Sequence, residues 1–131
     1  MNDDEFVRAF LKGWPNDQRF GHYDHLRIAW LVIDRHGPEL AAEIVGEQLR
    51  KMATDQGRAV LYNETMTRFW IRFIAHVRGA FGPLTGIDEA IAKAPFLIDK
   101  NLPLKHWSRT VMFGPEARVK WVEPDVLPLA I

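Results

Sequence analysis

The stretch FGHYDHLRIAWLVIDRHGPELAAEIVGEQL, Phe20 to Leu49, decides the fold class. Leu26, Ile28, Ala29, Trp30, Leu31, Val32 and Ile33 cover almost the whole circumference of a helix running from Tyr23 to His36. A helix that is apolar nearly all round belongs at the centre of a bundle. Gly37 and Pro38 then stop it and start another, since glycine suits the residue after a helix and proline the first helical turn. From Pro38 to about Asp55 the apolar residues Leu40, Ala41, Ile44, Val45, Leu49 and Met52 recur every three or four positions. Glu43, Glu47 and Lys51 line the opposite side. That is the spacing of an amphipathic helix. Two helices abutting across the single residue Gly37 predict helix-on-helix packing.

The flanking sequence extends the pattern. Asn2 caps a helix from Asp3 to about Lys12, with acidic residues at its positive end and Gly13 after it. Phe6, Val7, Phe10 and Leu11 form its apolar stripe. GWPNDQRFG is a loop that folds Trp14 back on the core. A fourth helix is expected from near Asn63 to Arg78, with Met66, Phe69, Trp70, Phe73, Ile74 and Val77 inward. Thr85 and Asp88 have the spacing of a capping box for a short helix reaching about Ala94. Pro95, Pro103 and Gly114-Pro115 divide the last third into short helical pieces. The ending EPDVLPLAI reads as an extended tail docked through Val126, Leu127 and Leu129. No segment alternates with the period of a strand, and there is no internal repeat or long linker. The expectation is an all-α, compact single-domain helical bundle over residues 1–131, with four main helices, short helical pieces and an extended C-terminal tail.

Seventeen basic and seventeen acidic residues cancel, so no net field draws the chain to nucleic acid or to an anionic membrane. The absence of cysteine removes disulfides, thiolate metal sites and cysteine nucleophiles together. Any metal would be held by His, Asp, Glu or water. The acidic start MNDDEFVRAF lacks a secretory pattern, and the run IAWLVI is too short to cross a bilayer. A soluble, cytoplasmic, bacterial protein is expected.

The chemistry concentrates at helix starts. His22 and His25 lie three residues apart on one face of the central helix, close enough for both imidazoles to reach one ion. Glu64, in the first turn of the aromatic helix, would complete a set of two histidines and a carboxylate if the two helix starts meet. Such sets suit Fe(II), with zinc or manganese as alternatives. Tyr62 and Glu64 would then move protons, Trp30, Phe69 and Trp70 would wall an apolar pocket, and Asn63 and Arg68 would contact a ligand. The same residues also fit a metal-free acid–base or small-ligand site. Plain structural roles explain them too: Asn63 as a cap, Glu64 paired with Arg68, His76 and His106 as ordinary helix residues. A third reading is a non-catalytic interaction module, a homodimer included. No phosphate loop, dinucleotide fingerprint or Ser-His-Asp arrangement is present.

Three segments carry a resemblance. FGHYDHLRIAW, YNETMTRFW and ARVKWVEPDVLPL resemble the motifs F-x-H-x-x-H-L-R-x-A-W, Y-H-E-T and W-V-x-P-D-L-x-P-L of a small, uncharacterised bacterial all-helical family. The resemblance spans Phe20 to Leu129 and implies a helical fold and no particular activity. His22, His25, Tyr62 and Glu64 stand at motif positions. Asn63 departs, since the family pattern has histidine there.

Overall fold

The Asn2 side chain accepts from the Glu5 N–H at 2.8 Å while Glu5 reaches back to the Asn2 amide, a reciprocal cap that opens α1, Asp3–Lys12. The computed structural model describes all residues from Met1 to Ile131. Every regular element in it is helical. α2 is His22–His36, α3 Pro38–Asp55 and α4 Glu64–Ala80. The short helices α5 Ile87–Lys93, α6 Arg109–Met112 and α7 Pro115–Val119 follow, with single 3₁₀ turns at Ala59–Leu61, Pro95–Ile98 and Leu102–Lys105. No helix is long and apolar enough to cross a membrane.

α2 is the central element, packed against α1, α3 and α4. Leu26, Ile28, Ala29, Trp30, Val32 and Ile33 are all buried, as a helix apolar on nearly every side requires. Each large aliphatic or aromatic side chain removed from water there contributes roughly 1.5–3 kcal/mol. Trp14 folds back as expected, meeting Phe6 and Phe20 edge-on at 5.4 and 5.0 Å.

Several boundaries differ from the sequence reading. α2 starts one residue earlier, at His22, because the Asp24 carboxylate accepts from the Gly21 N–H at 2.9 Å and stabilises the turn from outside. Asn63 precedes α4 as its cap, accepting from the Met66 N–H at 2.9 Å. The expected Thr85–Asp88 box does not form. Gly86 is the cap residue of α5, and the Thr85 hydroxyl donates to Glu89 instead. Leu11 and Leu40 lie exposed at the edges of their stripes.

The C-terminal tail docks by its main chain more than by its side chains. Val126 and Leu127 are exposed, yet their N–H groups both donate to the His106 carbonyl, and His106 Nδ1 donates to the Leu127 carbonyl at 2.9 Å. The Trp107 indole donates to the Val122 carbonyl at 2.9 Å. Thr65, at the start of α4, donates to the Lys120 carbonyl and accepts from the Val122 N–H. Among the three tail residues expected to dock, Leu129 packs on the core.

Candidate functional site

One cavity of about 810 Å³ opens between α2, α3 and α4, with the loop after α1 and the segment after α3 at its mouth. Helical spacing builds its walls. His25 and Ala29 face it from α2, Val45, Leu49 and Met52 from α3, and Met66, Trp70 and Ile71 from α4. On α2 and α3 the positions repeat at three, four or seven residues, and on α4 Ile71 lies beside Trp70, four residues after Met66, so each helix contributes one face. Phe20 closes the side nearest His25, its ring edge-on to the imidazole at 4.8 Å. Asp17, Arg19, Asp55 and Arg58 ring the mouth, two of each sign and none in an ion pair.

Inside the cavity the polar groups divide sharply. The Tyr62 hydroxyl donates to Glu64 Oε1 at 2.7 Å. Asn63 donates from Nδ2 to the Met112 carbonyl while its oxygen caps α4. The Thr67 hydroxyl donates to the Asn63 carbonyl. The His25 ring makes no side-chain hydrogen bond through either nitrogen, and of the other lining side chains named above the Trp70 indole N–H is likewise without a partner. Burial disfavours the charged imidazolium, the neighbouring His22 adds to this, and Asp24 only partly opposes it. The His25 pKa is accordingly pushed down to about 4, and at neutral pH the ring is uncharged, with one donor and one acceptor nitrogen.

The other motif residues are engaged elsewhere. His22 Nε2 donates to the Leu97 carbonyl at 2.8 Å, and its ring meets Trp70 edge-on, which ties the start of α2 to the 3₁₀ turn at Pro95–Ile98. Glu64 is buried and accepts from Tyr62, Arg68 and Arg50. Burial pushes its carboxyl up, but the Tyr62 hydroxyl and the two guanidinium groups outweigh that and hold it below the ordinary carboxylate range. Burial and the bond to Glu64 push the Tyr62 phenol up to about 12, so Tyr62 keeps its proton. Gly46 of α3 makes this knot fit: a Cβ there would stand 2.8 Å from the Tyr62 oxygen.

The two-histidine, one-carboxylate set therefore does not converge in this structure. No three His, Asp or Glu side chains are placed to hold a metal ion, and both Glu64 oxygens are satisfied by other partners. The residues expected to hold Fe, Zn or Mn are not gathered into a ligand set here.

Of the residues the sequence singled out, His25, Tyr62, Asn63 and Trp70 line the cavity. His22, Glu64 and Arg68 stand behind its walls. Phe69 is in the core between Trp70 and Trp107, and Trp30 lies under Arg78, the guanidinium 4.2 Å from its ring centre. Sequence reasoning missed Phe20, Leu49, Met52 and Met66. The helical spacing of Leu49, Met52 and Met66 marks them only as inward-facing, a signal shared with every core residue, and Phe20 lies in the loop before α2, where no spacing marks it. The chain matches no protein-family model, and neither the curated proteins nor the solved structures contain a match to it.

Proposed function

We propose that this protein binds a small molecule in the cavity between α2, α3 and α4, with His25 as the group that orients it. One observation carries the reading: in a cavity of about 810 Å³ walled largely by apolar side chains, Tyr62, Asn63 and Thr67 are already satisfied, while the His25 ring and the Trp70 indole N–H have no hydrogen-bond partner. The size lies within the ~300–1,000 Å³ of small-molecule clefts, which pair an apolar lining with a few convergent polar groups. A ligand that covered His25 without pairing with it would leave a polar group unsatisfied at a cost of roughly 1–3 kcal/mol, so a ligand that hydrogen-bonds to it is favoured. Binding is favoured over acid–base catalysis at neutral pH. A base with a pKa of about 4 takes up a proton poorly there, and an efficient general base has a pKa near the working pH.

The test is titration with N-phenyl-1-naphthylamine, an uncharged dye that brightens in apolar surroundings. Saturable 1:1 brightening is expected, reduced in Ala53→Phe, which places a ring in the cavity from α3. Absence of saturable binding by the folded parent overturns the reading.

A second reading, self-association, draws on one surface feature. Val60 and Leu61 are 74% and 62% exposed, and Phe113 and Val119 are also exposed. Arg118 holds two of these segments together by donating to the carbonyls of Val60 and Phe113. Exposed apolar groups gathered in one place mark interaction surfaces. Light scattering that gives the mass of a monomer at every concentration would dismiss it.

A further inference from the structure

We infer that the ligand of this cavity is an uncharged aromatic compound bearing a hydroxyl group, a phenol, whose hydroxyl pairs with His25; the inference rests on the pocket reading above.

Charge is decided first. The cavity interior holds no free cation or anion. Arg50 and Arg68 face Glu64 behind the wall, and the rim charges Asp17, Arg19, Asp55 and Arg58 balance in sign. A carboxylate or ammonium carried inward would lose its hydration without gaining a partner of opposite charge, which strongly disfavours it. An uncharged inner end loses far less.

The functional group follows from the imidazole. A neutral ring nitrogen facing the cavity is either a donor or an acceptor, according to tautomer. A hydroxyl satisfies both cases, since it donates to a bare nitrogen and accepts from an N–H. A carbonyl satisfies only one. A phenolic O–H is also the better donor toward a nitrogen that resists full protonation.

The body of the ligand follows from the wall. Phe20 and Trp70 present ring faces and edges, and Met52 and Met66 present thioethers. Aromatic pairs prefer edge-on or offset contacts, and sulfur packs favourably on ring edges. Phe20 already stands edge-on beside His25, so a ring carrying the hydroxyl finds an aromatic neighbour next to its polar partner. A rigid ring also loses less rotational freedom on binding than a flexible chain of equal area.

The experiment is calorimetric titration of the parent with 2-naphthol, naphthalene and 2-naphthoate, beside NMR of the histidine ring nitrogens. Loss of one signal pair in His25→Phe assigns His25. The naphthol is expected to bind about tenfold more tightly than naphthalene, the value of one neutral hydrogen bond, and to shift the His25 nitrogens. Naphthoate is expected to bind more than tenfold more weakly than the naphthol, and His25→Phe is expected to erase the difference between naphthol and naphthalene. Equal binding of naphthol and naphthalene, with His25 unmoved, overturns the inference while leaving the pocket in place. Tightest binding by naphthoate overturns it in favour of an anion held at Arg19 and Arg58. Binding by none of the three, with the naphthylamine dye also failing, overturns the pocket reading itself. The ranking in the parent decides the matter without the variant.

Discussion

His25 makes the stability of the fold depend on pH through the proton it declines to take. Its ordinary pKa of 6.5 falls to about 4 in the folded chain. Between these values the unfolded chain binds a proton that the folded chain does not, so acidification from pH 6.5 to 4 favours unfolding. The loss is fully developed below pH 4 and amounts to roughly 3 kcal/mol. Urea unfolding at several pH values across that window should show it, and His25→Phe should flatten this part of the curve. Glu64, held below the ordinary carboxylate range, acts in the same direction at lower pH, since its stabilisation is lost as it protonates. Glu64→Ala removes the acceptor of the Tyr62 hydroxyl, a buried loss expected to cost about 1–3 kcal/mol. Dye binding should be little changed by it, because Glu64 stands outside the cavity. A large loss of binding in a folded Glu64→Ala would restore Glu64 to the site.

The contact between α3 and the start of α4 depends on the missing side chain of Gly46. Alanine in a helix interior is ordinarily favoured over glycine by about 1 kcal/mol. Here its methyl would press on the Tyr62 oxygen at 2.8 Å, and overpacking of that kind costs typically 1–3 kcal/mol. Gly46→Ala is therefore expected to destabilise the protein despite the helix preference. Tyr62→Phe removes the obstructing oxygen, so the double variant should lose less than the sum of the single ones. A double-mutant cycle by chemical denaturation measures that coupling, and strict additivity would show that the contact is not tight. α2 and α4 legibly announced themselves as inward helices, whereas this knot was not legible. Gly46 and Tyr62 lie on different elements, and nothing in their sequence spacing ties them together.

Across the whole molecule, the C-terminal segment is a strap fastened at Thr65, Trp107 and His106. Thr65→Val keeps the volume but removes both hydroxyl contacts, leaving the Lys120 carbonyl and the Val122 N–H unpaired. The expected cost is about 1–3 kcal/mol. It should appear in hydrogen exchange as faster opening of the Val126 and Leu127 amides while α2 amides hold, since local opening spares a core element. A second whole-molecule outcome concerns metal. Because no three carboxylate or imidazole groups converge, elemental analysis of untagged protein should find no stoichiometric Fe, Zn or Mn. Full occupancy that disappears in His22→Ala/His25→Ala would overturn the assignment of Glu64 and His22 to structural roles.

The helices themselves were written in the chain. Apolar spacing, the Gly37-Pro38 break, the Asn2 and Asn63 caps and the absence of alternation determine an all-α bundle with α2 at its centre, because each is a local preference readable within a few residues. The pairing of His22 and His25 on one face was equally local. What those two rings point at was not. One turns to the Leu97 carbonyl and the other to an open cavity, and Glu64 is drawn to Tyr62 and two arginines. Those choices depend on how helices distant in sequence cross and on which buried polar group finds a partner first. Only the tertiary packing decides that, and it left the His25 ring facing the cavity without a hydrogen-bond partner.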